Sequence, residues 1–151
     1  MERKEKLKEI IKSSIKLESL VDIAIEKTTE KMKMADPLKD LTVAQCSFAL
    51  KVYDAEPCSL TEIARKANIS KPSASVMVNK LVNKDILIRE ADQECRRKVL
   101  ISTAPATKKF IRQVDEELLL LLEAIAGKMS SESFEAWFEI SRQINEILPE
   151  G

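Results

Sequence analysis

The chain has only two glycines in 151 residues, Gly127 and Gly151. That scarcity limits the fold more than any other feature, because glycine supplies the positive-φ positions that two-residue hairpins and phosphate-cradling loops need. Folds rich in tight β turns or glycine loops are nearly excluded, and a mainly helical fold is favoured. Histidine is absent, which removes the commonest zinc ligand and any histidine-based catalytic dyad. The three cysteines, Cys46, Cys58 and Cys95, cannot all pair with one another, and none belongs to a CxxC. The expectation is therefore no metal, no cofactor and no enzyme. No apolar run approaches the roughly 20 residues that span a bilayer, and no apolar signal stretch is present. A cytoplasmic protein without membrane contact is expected, long enough to bury one core without disulfides.

Over residues 3–34, Leu7, Ile10, Ile11, Leu17, Leu20, Val21, Ala24 and Ile25 recur at helical spacing and form one amphipathic stripe. Asp36-Pro37 ends that helix. So long a helix has more apolar surface than its own domain covers, and partner packing is its expected use. A second helix opens with Thr42 as N-cap. Val43, Cys46, Phe48, Ala49, Leu50 and Val52 form its buried side, and it stops between residues 54 and 57. Ser59-Leu60-Thr61-Glu62 is a capping box. The short helix it starts turns Ile63, Ala64 and Ala67 inward and runs through Ala67. Asn68 can take the left-handed conformation, and Ile69 can plug the turn. Ser70 caps the next helix, with Pro72 in its first turn, where a missing N–H matters little. This helix runs to about Lys84 and buries Ala74, Val76 or Met77, Val78, Leu81 and Val82.

Two short helices, a turn of about three residues and a small Ala64 at the crossing match a helix-turn-helix. Residues 86–89 and 98–102 read as two short strands around a charged loop, 90–97: a β-hairpin, the wing of a winged helix. Pro105 opens another helix, with Phe110, Ile111, Val114, Leu118, Leu121, Leu122 and Ile125 on its apolar side, ending at Gly127. Ser130 or Ser131 caps a last helix that carries Phe134, Trp137, Phe138, Ser141, Ile144 and Leu148. The expected fold is mainly α with a small β-hairpin: a winged helix-turn-helix flanked by N- and C-terminal dimerisation helices.

The net charge is zero but unevenly placed. Residues 59–99 hold nine basic and five acidic side chains, a surplus of four positive charges. From Ala106 onward, nine acidic residues oppose five basic ones. A basic middle in a neutral chain suits a local polyanion-binding face, although a charge run of this kind also describes a merely solvated surface.

In order and spacing these pieces resemble the MarR family of bacterial transcription regulators, over essentially the whole chain. The resemblance is strongest at Leu60-Thr61-Glu62-Ile63-Ala64, at Ile69-Ser70-Lys71-Pro72-Ser73-Ala74-Ser75-Val76, at Leu81-Val82 and at Ile86-Leu87-Ile88-Arg89. Asp92-Gln93-Glu94-Cys95-Arg96-Arg97 is similar to the family's acidic-basic wing. The resemblance implies one MarR-like domain over 1–151, with dimerisation helices at 1–35 and 106–151 and a DNA-binding lobe at 41–104. It implies a homodimer on a pseudo-palindromic double-stranded DNA operator, acting as a repressor and released by a small ligand or thiol oxidation. Three positions depart from the family pattern. Asp85 stands where glycine is usual. Cys95 stands where an aspartate orients the wing arginine, with Asp92 or Glu94 as substitutes. Ala104 replaces a hydroxyl cap, with Ser102 or Thr103 as alternatives.

The helix after Ser70 is the expected recognition helix, since the major groove admits one helix whose N-terminal side chains meet base edges. Its candidate contacts are Ser70, Lys71, Pro72, Ser73, Ser75, Asn79 and Lys80, the short polar side chains for bases or phosphates and the lysines for phosphates. On the wing the candidates are Arg96, Arg97 and Lys98. The resemblance assigns Arg97 to the minor groove and Arg96 to phosphate; a surface salt bridge to Asp92 or Glu94 is the alternative use of these arginines. A small apolar or phenolic effector would fit a cleft lined by Phe48, Tyr53 and the first helix. Cys58 and Cys95, in segments read as exposed, are candidate redox thiols. Incidental cysteine is the plainer reading of both, and Cys46 reads as core. The competing function is a winged-helix module that binds a protein instead of DNA.

Overall fold

The computed structural model describes residues 2–32, 37–95 and 98–148. Among these, six helices and three strands follow one another as α1 (Arg3–Met32), α2 (Val43–Ala55), β1 (Cys58–Ser59), α3 (Leu60–Lys66), α4 (Lys71–Asn83), β2 (Leu87–Ala91), β3 (Val99–Thr103), α5 (Pro105–Ala126) and α6 (Ser131–Ile147). They form two compact units: Met1–Asp36 with Ile111–Glu135, and Pro37–Phe110 with Ala136–Gly151. No described helix is long and apolar enough to cross a membrane.

In the first unit, Ala24 and Thr28 of α1 and Glu117 of α5 are buried, and Glu117 is ion-paired with Lys31. The N-terminal half of α1 is bare. Leu7, Ile10 and Ile11, the start of the stripe read from the sequence, are 50–58% exposed, and Ile15 beside them is 60% exposed. Further along the stripe, Leu17, Leu20 and Ile25 are half-buried and Ala24 is buried. Helix α6 buries no residue at all; Trp137 is half-buried, and Phe138, Ile144 and Leu148 are exposed. Ser130, not Ser131, caps α6, its hydroxyl accepting from the Ser133 N–H at 3.2 Å.

The second unit is built around one apolar core. Phe48, Ala49 and Val52 of α2 meet Cys58, Ile63 and Ala64, then Ala74, Val78 and Leu81 of α4, and Ile86, Leu87 and Ile101 near and in the sheet. The expected hairpin is one part of a three-stranded antiparallel sheet of order β1-β3-β2. Its extra strand, β1, places Cys58 opposite Ile101 and Ser59 opposite Leu100. On the other side Leu87 pairs with Thr103 and Arg89 with Ile101. Two residues carry no periodicity, which is why β1 leaves no mark in the sequence.

Several expected core positions face solvent instead. Val43 is 88% exposed and Leu50 is also exposed, because the inward side of α2 is set by Phe48, Ala49 and Val52. Of the pair on α4, Met77 is half-buried while Val76 is 53% exposed. Ile69 is exposed and does not plug its turn; its N–H bonds to the Ala64 carbonyl at 3.0 Å.

Polar bonds tie the end of α2 to the sheet and to α5. Glu56 follows α2 with its side chain 11% exposed. One carboxylate oxygen accepts the Thr103 N–H at 2.7 Å and the Thr103 hydroxyl at 2.6 Å, and the other meets Lys108 Nζ at 2.5 Å. Thr103, an alternative cap for α5, thus gives its hydroxyl to Glu56. Burial would raise the Glu56 carboxyl, but the bonds from Lys108 and Thr103 outweigh it and hold the group below the ordinary 4.5. A lowered folded pKa stabilises the fold above the unfolded value, and the contribution is lost as pH falls through the folded one. Glu56→Gln should therefore lower unfolding free energy by about 1–3 kcal/mol at neutral pH. In urea titrations the gap between wild type and variant should narrow as the pH drops below 4.5; a gap that stays constant into strong acid would contradict this role.

Candidate nucleic-acid interface

The helix-turn-helix is assembled by caps. The Ser59 hydroxyl accepts the Glu62 N–H at 3.2 Å, and the Glu62 carboxylate accepts the Ser59 N–H at 2.6 Å. These bonds from Ser59 keep the Glu62 carboxyl below its ordinary value. At the other end of α3, Asn68 turns the chain at φ 52, a conformation asparagine tolerates better than most residues. Ser70 then starts α4, its hydroxyl accepting the Ser73 N–H at 3.2 Å. Helix α4 ends in the same manner: Asp85 takes φ 57, and the Ile86 N–H reaches the Leu81 carbonyl at 2.9 Å. The aspartate at this glycine-favouring position adopts the left-handed conformation itself. Lys84 fastens the end of α4 to the Asp40 carbonyl at 3.1 Å.

With Ala74, Val78 and Leu81 committed to the core, the opposite side of α4 faces solvent. Lys71, Pro72, Ser73, Asn79 and Lys80 are exposed there, as expected of contact residues, whereas Ser75 is half-buried at the flank. The hydroxyls of Ser70 and Ser73 lie 2.8 Å apart and are partly engaged with each other. Asn79 is held from the wing, its Oδ1 accepting from the Arg89 guanidinium at 2.5 Å. The Asn79 Nδ2 then points its donors elsewhere, a bias toward acceptors on base edges. Arg89, on β2, was not among the sequence candidates. Its ten-residue separation from Asn79 crosses a helix end and a turn, and nothing local signals such a bond.

On the wing, the Asp92 N–H bonds to the Lys98 carbonyl at 2.9 Å and the Lys98 N–H to the Cys95 carbonyl at 2.8 Å. The Asp92 carboxylate accepts the Glu94 N–H at 2.9 Å. Lys98 is exposed. Arg96 and Arg97 lie outside the described residues.

The remaining candidates separate. Phe48 is buried, 3% exposed, in the core of its unit and cannot line an open cleft there; Tyr53 is half-buried. A surface pocket of about 270 Å³ lies instead at the α5–α6 turn, against Met129, Ser130 and Phe134. Cys58, in a segment whose sequence suggests exposure, is only 2% exposed, its thiol 3.7 Å from the Ile101 carbonyl. Burial, with the nearby Glu62 and Glu56 charges, pushes that thiol up to about 11. Such a group is nearly all thiol at neutral pH, and the thiolate is the reactive form. Cys95 is exposed and Cys46 half-buried. Among the described residues, no group of three or more cysteine or acidic side chains is arranged to hold a metal ion.

An α3–turn–α4 pair braced by a three-stranded sheet is a winged helix-turn-helix, the class of fold found in transcriptional regulators. The MarR family model matches residues 41–99, the segment that carries the helix-turn-helix and the wing. An uncharacterized HTH-type transcriptional regulator of Staphylococcus aureus is 23% identical over 122 residues, covering 78% of this chain and 84% of its own. A MarR-like transcriptional regulator of Thermotoga maritima has the same fold, with TM-score 0.73 and 19% identity over 97% of this chain and 96% of that one. Streptococcus pneumoniae FabT, solved in complex with DNA, aligns with TM-score 0.67 and 12% identity over 95% of each chain.

Thiol accessibility can be read directly. In a Cys46→Ala background, a water-soluble disulfide reagent should label Cys95 within the mixing time and Cys58 only on unfolding. Rapid labelling of both thiols in the native protein would return Cys58 to the redox candidates.

Proposed function

We propose that this chain is a sequence-specific DNA-binding transcription regulator that works as a homodimer. The observation that carries the reading is the outward side of α4. It presents Lys71, Ser73, Asn79 and Lys80 to solvent, and no acidic side chain occurs along the helix. Phosphates repel carboxylates and recruit lysine, so a helix of this composition suits the floor of a major groove. Exposed Arg65 and Lys66 at the end of α3 and exposed Lys98 on the wing add cations to the same segment. On the family resemblance, Arg97 is assigned to the minor groove and Arg96 to phosphate. Occupancy of an operator excludes other proteins from it, which makes repression the simplest regulatory outcome.

The dimer is supported by the bare apolar stretch of α1 and by an α6 that buries nothing within the chain. Isolated apolar residues are ordinary on surfaces, but a run of exposed apolar residues along one helix suits an interaction site. A second copy would cover them and would offer a second α4 to the next half-site about 34 Å along the duplex.

Two measurements test these statements. Binding to duplex DNA recovered from a random pool should weaken steeply as salt rises, and Lys80→Ala should reduce the slope of log K against log salt by about 1. Affinity independent of salt would refute phosphate contact. Light scattering in solution should give twice the 17.1 kDa chain mass. The double variant Ile10→Glu with Ile15→Glu should give the single mass and lose operator affinity; a dimer that survived it would exclude the α1 stripe as the interface.

A further inference from the structure

One apolar side chain sits where the proposed interface should be polar. Val76 lies two residues from Ala74 and two from Val78, both fully buried. At 100° per residue that spacing puts it almost diametrically opposite the core. It is 53% exposed, midway along the outward side of α4. Its neighbours on that side, Pro72, Asn79, Lys80 and Asn83, are also exposed. A lone valine among polar and cationic side chains is too small a patch to seat a protein partner. It does match the one apolar group that the major-groove edges of the bases offer, the C5 methyl of thymine.

We propose that Val76 reads thymine, packing its methyl groups on a thymine C5 methyl in each half-site. Val76 is then a specificity-determining residue, alongside an Asn79 whose carbonyl oxygen is held by Arg89 and whose amide donors are left for base acceptors. The inference rests on the DNA-binding reading and adds to it the base that the centre of the helix selects. Cytosine presents a C5 hydrogen at the same place, so the contact favours thymine over cytosine without any hydrogen bond.

The test uses the full chain and an operator selected from a random duplex pool. Each thymine of one half-site is replaced in turn by deoxyuridine, which removes only the methyl group. Affinities are measured by fluorescence anisotropy for wild type and for Val76→Ala, whose thermal unfolding should stay close to wild type because the side chain is exposed. One replacement should weaken wild-type binding roughly three- to tenfold, the scale of one or two lost methyl contacts. Against Val76→Ala the same replacement should have almost no effect. If wild type tolerates deoxyuridine at every position, or if the penalty persists in full in Val76→Ala, the role of Val76 is overturned while salt-dependent binding still upholds the DNA-binding reading. If no duplex is bound even at low salt, that reading falls, and this inference falls with it.

Discussion

Strand β3 is the element on which the helix-turn-helix lobe depends. It lies between β1 and β2, so its Ile101 stands opposite Cys58 on one side and Arg89 on the other while its side chain fills the core. At its end, Thr103 gives both of its donors to Glu56, and the next N–H, from Ala104, goes to the Ile86 carbonyl. Helix α3 has seven residues, too few to persist alone, because the first helical turn costs more than it returns. It persists by burying Ile63 and Ala64 against α2, α4 and the sheet. Helix α4 thus belongs to a lobe whose central strand begins 16 residues beyond the helix's own last residue.

What was legible in the sequence follows from the range of the forces involved. Thr42, Ser59 and Ser70 each cap a helix by accepting an N–H three residues on, so donor and acceptor can be read from one short window. Burial is a long-range property, and there the reading failed at particular residues. Val43 is apolar and lies in a helix, yet the phase of α2 is fixed by Phe48, Ala49 and Val52; in α4 the core positions Ala74, Val78 and Leu81 leave Met77 half-buried and turn its alternative, Val76, outward. Cys58 follows a proline and precedes a capping box, which reads as an exposed connection; its pairing with Ile101 makes it a core residue. The aromatic bulk of Phe48 suits an effector cleft and a core alike, and the sequence alone does not separate the two. Apart from the two-residue β1, the order of elements was legible, because helical spacing gives way to short β-branched runs at Ile86 and returns at Pro105.

Glycine scarcity had a subtler consequence than the exclusion of tight turns. No described glycine takes a positive φ, and the two left-handed positions fall on Asn68 and Asp85. Both follow the two helices of the motif, and each is succeeded by the same bond: Ile69 N–H to Ala64 carbonyl, then Ile86 N–H to Leu81 carbonyl. Left-handed backbone costs a side-chain-bearing residue about 1–2 kcal/mol, least for asparagine and aspartate, whose short polar groups can bond locally. The lobe accepts that cost twice to turn sharply at both ends of α4. The departure from the family pattern at Asp85 changes the residue and keeps the geometry.

The zero net charge bears on how the proposed regulator would find its site. Non-specific affinity grows with the number of phosphates neutralised, and a chain whose positive surplus is confined to residues 59–99 has few cations to give. One helix of 13 residues spans only a few base pairs, so a single copy could bind neither tightly nor selectively. Both deficits would be met by the same device. In the proposed dimer a second copy would double the phosphate contacts and fix the distance between two copies of α4, which would make half-site spacing a source of selectivity. Contacts that discriminate without charge, such as a methyl against a methyl or an amide donor held in one orientation, then raise specificity without raising background binding. On this reading the bare apolar stretch of α1 and the exposed Val76 answer one physical problem, the reading of DNA by a protein with little positive charge to spare.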